Sequence, residues 1–153
     1  MFSKEEAKKL RQEFWITFGK RTALLPTNDD KKKKWILFRT GINDLSFKFE
    51  SERKFARVCI DIEQKDLVKR IQYWEKFEGL TNILRETVPS ELIWDEEFIL
   101  ENGKEISRIY CQLDNVSLYN QKKWPEIFDF FVENMLGIEE VFNDFKDFIE
   151  DID

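Results

Sequence analysis

The sequence predicts a single α+β domain over residues 1–153, in the order helix, three-stranded antiparallel meander, long helix, β-hairpin and long C-terminal helix (αβββαββα). Three observations predict it. Between Lys54 and Val88 the apolar period changes: Val58, Ile60 and Ile62 alternate with Arg57, Cys59 and Asp61, and then Leu67, Ile71, Trp74, Leu80, Leu84 and Val88 recur at helical spacing. The switch falls near Glu63, so a strand there delivers the chain into a helix. Further on, Asn102-Gly103 separates two strand-like runs and is a preferred pair for a type I′ hairpin turn. Finally, apolar stripes at helical spacing open and close the chain.

Taken in order, Ser3 and Glu6 form a capping box, and Ala7, Leu10, Phe14 and Phe18 make the buried stripe of the first helix. Gly19 is the expected stop. Lys20 to Lys34 is a loop that holds Pro26, Asn28, Asp29 and Asp30 and ends in four lysines, Lys31 to Lys34. Trp35 to Thr40 is expected to be the first strand. Gly41 to Asp44 turns it into a second in which Leu45, Phe47 and Phe49 face one way, and Lys54 to Ile62 is the third. The helix that follows is stopped by Pro89. Ile93–Leu100 and Lys104–Leu113 are the hairpin strands. Asn120 caps the final helical region, which tolerates Pro125 in its first turns, and Gly137 is the expected kink in a stripe running from Ile127 to Ile152.

No Pro/Gly/Ser-rich linker divides the chain, and fifteen Phe, five Trp and three Tyr can fill a core or leave an aromatic-rich helical face for self-association. The longest apolar runs fall short of the about 20 residues a membrane helix needs, and MFSKEEAKKL has no signal-peptide apolar region, so a cytoplasmic protein with no membrane partner is expected. Cys59 and Cys111 fall inside predicted strands and are expected to be buried, reduced thiols. The chain has no histidine, which removes Ser-His-Asp and Cys-His catalysis, His-ligated zinc and an imidazole base. A net charge of −6 opposes broad binding to nucleic acid or anionic membrane. Lys20, Arg21 and Lys31 to Lys34 are the local exception, and for the lysine run a solvated loop edge is the expected explanation over a phosphate-binding patch.

Two constellations could carry function. A helix, three strands, a helix and a strand is also the layout of restriction-endonuclease-like nucleases, which hold magnesium with carboxylates and orient water with a lysine. Asp44, Glu63 and Lys65 formally match the acid and the E-x-K set, with Glu13 and Asp61 as further metal ligands; no cofactor is expected under any other reading. In a chain with 31 acids and 25 bases such a pattern arises readily by chance, and Glu63 could simply complement the helix dipole. The second constellation is Arg108 with Trp94 across the hairpin. An ion pair or cation–π contact that serves the fold would explain it, as would a binding face for a carboxylate or phosphate.

The segments FSKEEAKKLRQEFWITFGK, WILFRTGINDLSFKFE, ARVCIDIEQKD, LIWDEEF, GKEISRIY and WPEIFDFF together resemble the domain of unknown function 4268 family, in the short stand-alone form associated with Bacteroidetes. The resemblance covers nearly the whole chain but transfers no established activity. Longer relatives, some carrying a nuclease-like segment, imply a partner or accessory role near nucleic-acid metabolism. The family pattern has a Thr or another small residue where Glu63 stands, which weakens the E-x-K reading; Trp94 and Arg108 match the pattern. The expectation is therefore a small soluble bacterial interaction or binding module that binds protein, including copies of itself, with the metal-dependent nuclease as the alternative.

Overall fold

Ser3 begins the first helix as its sequence demands: its hydroxyl accepts the Glu6 N–H at 3.1 Å, satisfying one of the amides a helix start leaves free. The structure, a computed structural model, describes residues 2–25 and 40–152. Helix α1 (Lys4–Thr22) runs on past Gly19, where a stop was expected. The strand expected over Trp35 to Thr40 and the lysines Lys31 to Lys34 lie outside the described residues, apart from Thr40, which belongs to no strand. Strands β1 (Leu45–Ser51) and β2 (Phe55–Ile62) then form an antiparallel pair with Leu45 opposite Ile62 and Ser51 opposite Ala56.

The long helix expected between Ile62 and Pro89 is two. Helix α2 (Leu67–Glu78) is capped by Asp66, whose carboxylate accepts the Val68 N–H at 2.9 Å. It ends at Gly79, and α3 (Thr81–Thr87) restarts after Leu80, with the Thr81 hydroxyl donating to the Glu78 carbonyl at 2.6 Å. The change of direction alters which residues are buried. Trp74, Phe77, Leu80, Leu84 and Val88 enter the core, whereas Leu67 and Ile71, expected in the same stripe, are 55% and 36% exposed.

Strands β3 (Ile93–Ile99) and β4 (Glu105–Asp114) form the second hairpin, and the sheet order among the described residues is β1-β2-β4-β3, antiparallel throughout. Its turn is not type I′. Only Gly103 of the Asn102-Gly103 pair takes a positive φ, 86°, while the Gly103 N–H donates to the Leu100 carbonyl at 2.8 Å and the Leu100 N–H to the Lys104 carbonyl at 2.9 Å. This is the three-residue loop in which a turn is closed by a left-handed glycine. A Cβ at Gly103 would meet nothing within 4 Å, so Gly103→Ala is expected to lose about 1 kcal/mol through backbone conformation alone, measurable as a lower urea midpoint.

Asn120 caps a short 3-10 turn (Gln121–Lys123) that leads into α4 (Trp124–Glu150) with Pro125 in its first turn. The kink falls at Phe145 (φ −118°, ψ 18°), not at Gly137. Gly137 has a different purpose: a Cβ there would lie 2.8 Å from the Thr87 carbonyl oxygen, so its absence lets α4 lie against the end of α3.

The helices cover one face of the sheet. Leu45, Phe47, Val58, Ile60, Ile62, Ile109 and Cys111 point into a core completed by Phe14, Phe18, Trp124, Phe128, Phe130, Phe131, Met135 and Phe142. Most α4 aromatics are thus spent inside, Phe131 packing against Phe14, Trp15, Phe18 and Phe49 with ring centroids 4.8–6.2 Å apart, while Phe148 near the end of the helix is exposed. The aromatic stripe of α4 is interior as far as Phe142, and Leu136 and Phe148 stay exposed on the same helix. Among the described residues no helix is long and apolar enough to cross a membrane.

Candidate functional site

Alternation puts Lys48, Glu50, Arg57, Cys59, Asp61, Arg108 and Tyr110 on the sheet face turned away from the helices. Arg108 and Asp61 are directly opposite each other on β4 and β2, 1% and 0% exposed, and so must satisfy one another. Arg108 Nε and Nη2 donate to the two Asp61 oxygens at 2.8 and 2.9 Å, while Nη1 and Nη2 donate to the two Glu50 oxygens at 2.9 and 3.1 Å. The guanidinium also lies 4.3 Å from the centre of the Phe98 ring. With every nitrogen of its fork engaged, Arg108 has its anionic ligands built in. Burial acts to lower its pKa, but Asp61, Cys59 and Glu50 together raise it, so it stays charged. The aromatic partner is Phe98, not Trp94: Trp94 is opposite Ile109 and faces the helices, where it meets Trp74 edge-on at 5.7 Å.

The acids that suggested a metal site are separated or neutralised. Lys48 Nζ lies 3.2 Å from Asp61 and 3.2 Å from Glu63, and Glu63 also accepts the Ser46 hydroxyl at 3.1 Å. The lysine beside Glu63 therefore comes from the neighbouring strand; Lys65 is exposed where the chain leaves β2. Glu13 belongs to α1, whose Phe14 and Phe18 pack on the opposite face of the sheet. Asp44 sits at a left-handed turn position (φ 61°) with an exposed side chain, tied to Glu63 through its backbone carbonyl, which accepts the Glu63 N–H at 2.7 Å. Among the described residues no three carboxylates or thiols are grouped to hold a metal ion. Nor does Glu63 cap a helix, since Asp66 does so.

The Lys48 ammonium is pushed in two directions: burial lowers its pKa, but Asp61 and Glu63 outweigh this and hold it above its ordinary value of 10.5. A cation whose folded pKa is raised adds stability that is present below 10.5 and lost as pH climbs through the folded value. Lys48→Met is therefore expected to lower the melting temperature at pH 7 and to leave it nearly unchanged relative to wild type at strongly alkaline pH. Cys59 and Cys111 are free and buried, as expected, and burial pushes the Cys111 thiol up to about 12 and the Cys59 thiol well above its ordinary range. Neither is poised as a nucleophile.

A cleft of about 390 Å³ lies against Glu50, Phe98 and Arg108, and a larger one of about 670 Å³ lies away from these ion pairs, where the end of α2 and α3 meet the approach to β3. Trp94, Val88, Pro89 and Leu92 give it apolar surface; Thr81 and Ser90 offer hydroxyls, and Glu78, Arg85 and Glu91 supply charge. Its wall is held from behind: Asn134 of α4 accepts the Ser90 N–H at 3.0 Å and donates to the Ser90 hydroxyl at 3.0 Å. Unlike Arg108, Arg85 is exposed and reaches only the Asn82 side chain, at 3.4 Å, among the described residues. Of the basic residues considered for nucleic acid, Arg21 is paired with Asp129.

Sequence reasoning singled out Trp94 but missed Arg85, Lys48 and Glu50. Lys48 and Glu50 were legible in principle, since β1 alternates Leu45, Phe47 and Phe49 with Ser46, Lys48 and Glu50 opposite a strand bearing Asp61. Arg85 carried no signal, because the cleft exists only where the long helix breaks. No curated protein and no solved structure matches the chain. The model of one family, a domain of unknown function (DUF4268), matches residues 10–146, and with nearly the full length so covered the chain belongs to the DUF4268 family.

Proposed function

We propose that this domain is a protein-interaction module and not an enzyme, and that a partner segment docks in the cleft between α3 and β3. The observation that supports this reading is the contrast between the two charged regions. Asp61, Glu50 and Glu63 are matched on the sheet face by Arg108, Lys48 and Arg57, so that none of these three acids is free to activate water or bind a cation. The cleft, in comparison, presents a half-buried tryptophan and, in Glu78 and Glu91, exposed carboxylates with no ion pair among the described residues, in a volume that suits one or two side chains of a peptide. Tryptophan in a partly dry pocket is a frequent energetic centre of protein interfaces. An accessory role in nucleic-acid metabolism, implied by the longer relatives, would run through a protein partner, because a net charge of −6 opposes direct contact with phosphates.

Selection of displayed random peptides against the domain, followed by mapping of amide shifts, tests the reading. Selected peptides are expected to move the signals of residues 81–94 and the Trp94 indole, and Trp94→Ala is expected to weaken them at least about tenfold, equivalent to 1.4 kcal/mol. Failure to select any peptide, or peptides whose shifts map to the sheet face around Arg108, would contradict it.

A further inference from the structure

We infer that the ligand of this site is an extended, basic segment of a partner protein, which adds to the free edge of β3 while placing a basic side chain in the cleft; this rests on the cleft being the docking site. Strand β3 ends the sheet, and among the described residues it pairs with β4 alone, so outside the bulge at Glu96 and Glu97 its outer edge faces no other strand and is open to strand addition. The run Glu91 to Ile99 contains Glu91, Asp95, Glu96 and Glu97 and no base, and Glu91, Glu96 and Glu97 form no ion pair among the described residues. Asp95 instead accepts the Glu97 N–H at 3.1 Å. Two aliphatic side chains, Ile93 and Ile99, stand 43% and 59% exposed on the same edge strand. An edge that combines exposed isoleucine with unmatched carboxylates is complementary to a strand alternating apolar and basic residues.

The cleft repeats the pattern at the end of that edge. Trp94 offers an aromatic ring, Glu78 and Glu91 offer carboxylates, and among the described residues that line it the one base is Arg85. An aromatic ring flanked by acids suits a guanidinium or ammonium group. The bulge between Asp95 and Phe98, after which pairing resumes at Phe98–Ile106, divides the edge and leaves Ile93–Asp95 as the regular stretch that adjoins the cleft. Acids and a bulge on an edge also guard against aggregation, so the test has to separate recognition from simple repulsion.

The experiment is calorimetric titration of the domain with a capped octapeptide of alternating arginine and valine, with a glutamate–valine counterpart, and with the arginine peptide N-methylated at alternate amides. The arginine peptide is expected to bind, the glutamate peptide not to bind, and N-methylation to weaken binding at least about tenfold by removing strand hydrogen bonds. Reversal of exposed charge, Glu96→Lys with Glu97→Lys, is expected to cost at least about tenfold without altering the melt. Arg85→Glu, which removes the one repelling base, is expected to strengthen binding several-fold. No binding of the arginine peptide, equal binding of its N-methylated form, or weaker binding to Arg85→Glu would each overturn the inference. If displayed peptides still mapped to the cleft, the docking site itself would survive that failure. Conversely, arginine-peptide binding indifferent to Trp94→Ala would keep the edge and remove the cleft.

Discussion

Replacing Arg108 by methionine is expected to destabilise the domain by about 3–5 kcal/mol, the largest effect of any single substitution on the sheet face. The reason is what the change leaves behind. Asp61 is fully buried and would keep one cationic partner, Lys48 at 3.2 Å, in place of the two-point contact from Arg108. Glu50 would fare better, because it is partly exposed and Arg57 lies 3.5 Å away. Since the loss comes from stranding a buried charge, removing both partners should restore much of it: Arg108→Met with Asp61→Leu is expected to recover at least half of the stability lost by Arg108→Met alone. Urea unfolding of the two single variants and the double variant measures this directly. A single-variant loss under about 1 kcal/mol would mean that water reaches Asp61 and that the pair is not the keystone of this face.

The second large effect concerns Gly137. Alanine in a helix interior ordinarily gains about 1 kcal/mol over glycine. Here the added methyl would lie 2.8 Å from the Thr87 carbonyl oxygen and 3.1 Å from the Val88 Cα, both backbone atoms at the end of α3 that cannot rotate away. Separation of α3 from α4 would have to follow, at the roughly 1–3 kcal/mol typical of overpacking, for an expected net loss of up to about 2 kcal/mol. The change would also disturb the cleft, because Val88, Pro89 and Ser90 leave α3 at this point and Asn134 holds Ser90. A rise in melting temperature for Gly137→Ala would show that the two helices do not approach this closely.

The same residues explain how far the sequence could be read. Alternation in β1, β2 and β4 is strict because one face of the sheet is core and the other is not, and a one-residue slip would exchange Ile60 with Asp61. The elements and the face that each strand buries were therefore legible. The break at Gly79-Leu80 was not, because Leu80, Leu84 and Val88 are spaced as a continuing stripe and the turn between the helices is set by packing on α4. The kink at Phe145 was hidden for the same reason, while Gly137, the residue with the local signature of a kink, was claimed by a close approach between helices. At the site, Arg108 stood out beside Trp94 as a binding face for an anion, and Asp61 as a further ligand of the nuclease-like metal pattern. Their register, with each opposite the other on adjacent strands, converts them into internal partners. Trp94 was legible as an aromatic at a strand start, but its cleft depends on the helix break and so could not be read from the pattern.

The central claim is that a partner segment engages α3 and β3 while the sheet face stays internally satisfied. The most direct test is amide hydrogen exchange across the whole domain, with and without a saturating selected peptide. Slowed exchange along Ile93–Ile99, accompanied by a shift of the Trp94 indole and unchanged signals around Asp61 and Arg108, is the predicted result. Exchange unaltered in β3, with changes gathered instead around Asp61 and Arg108, would contradict it.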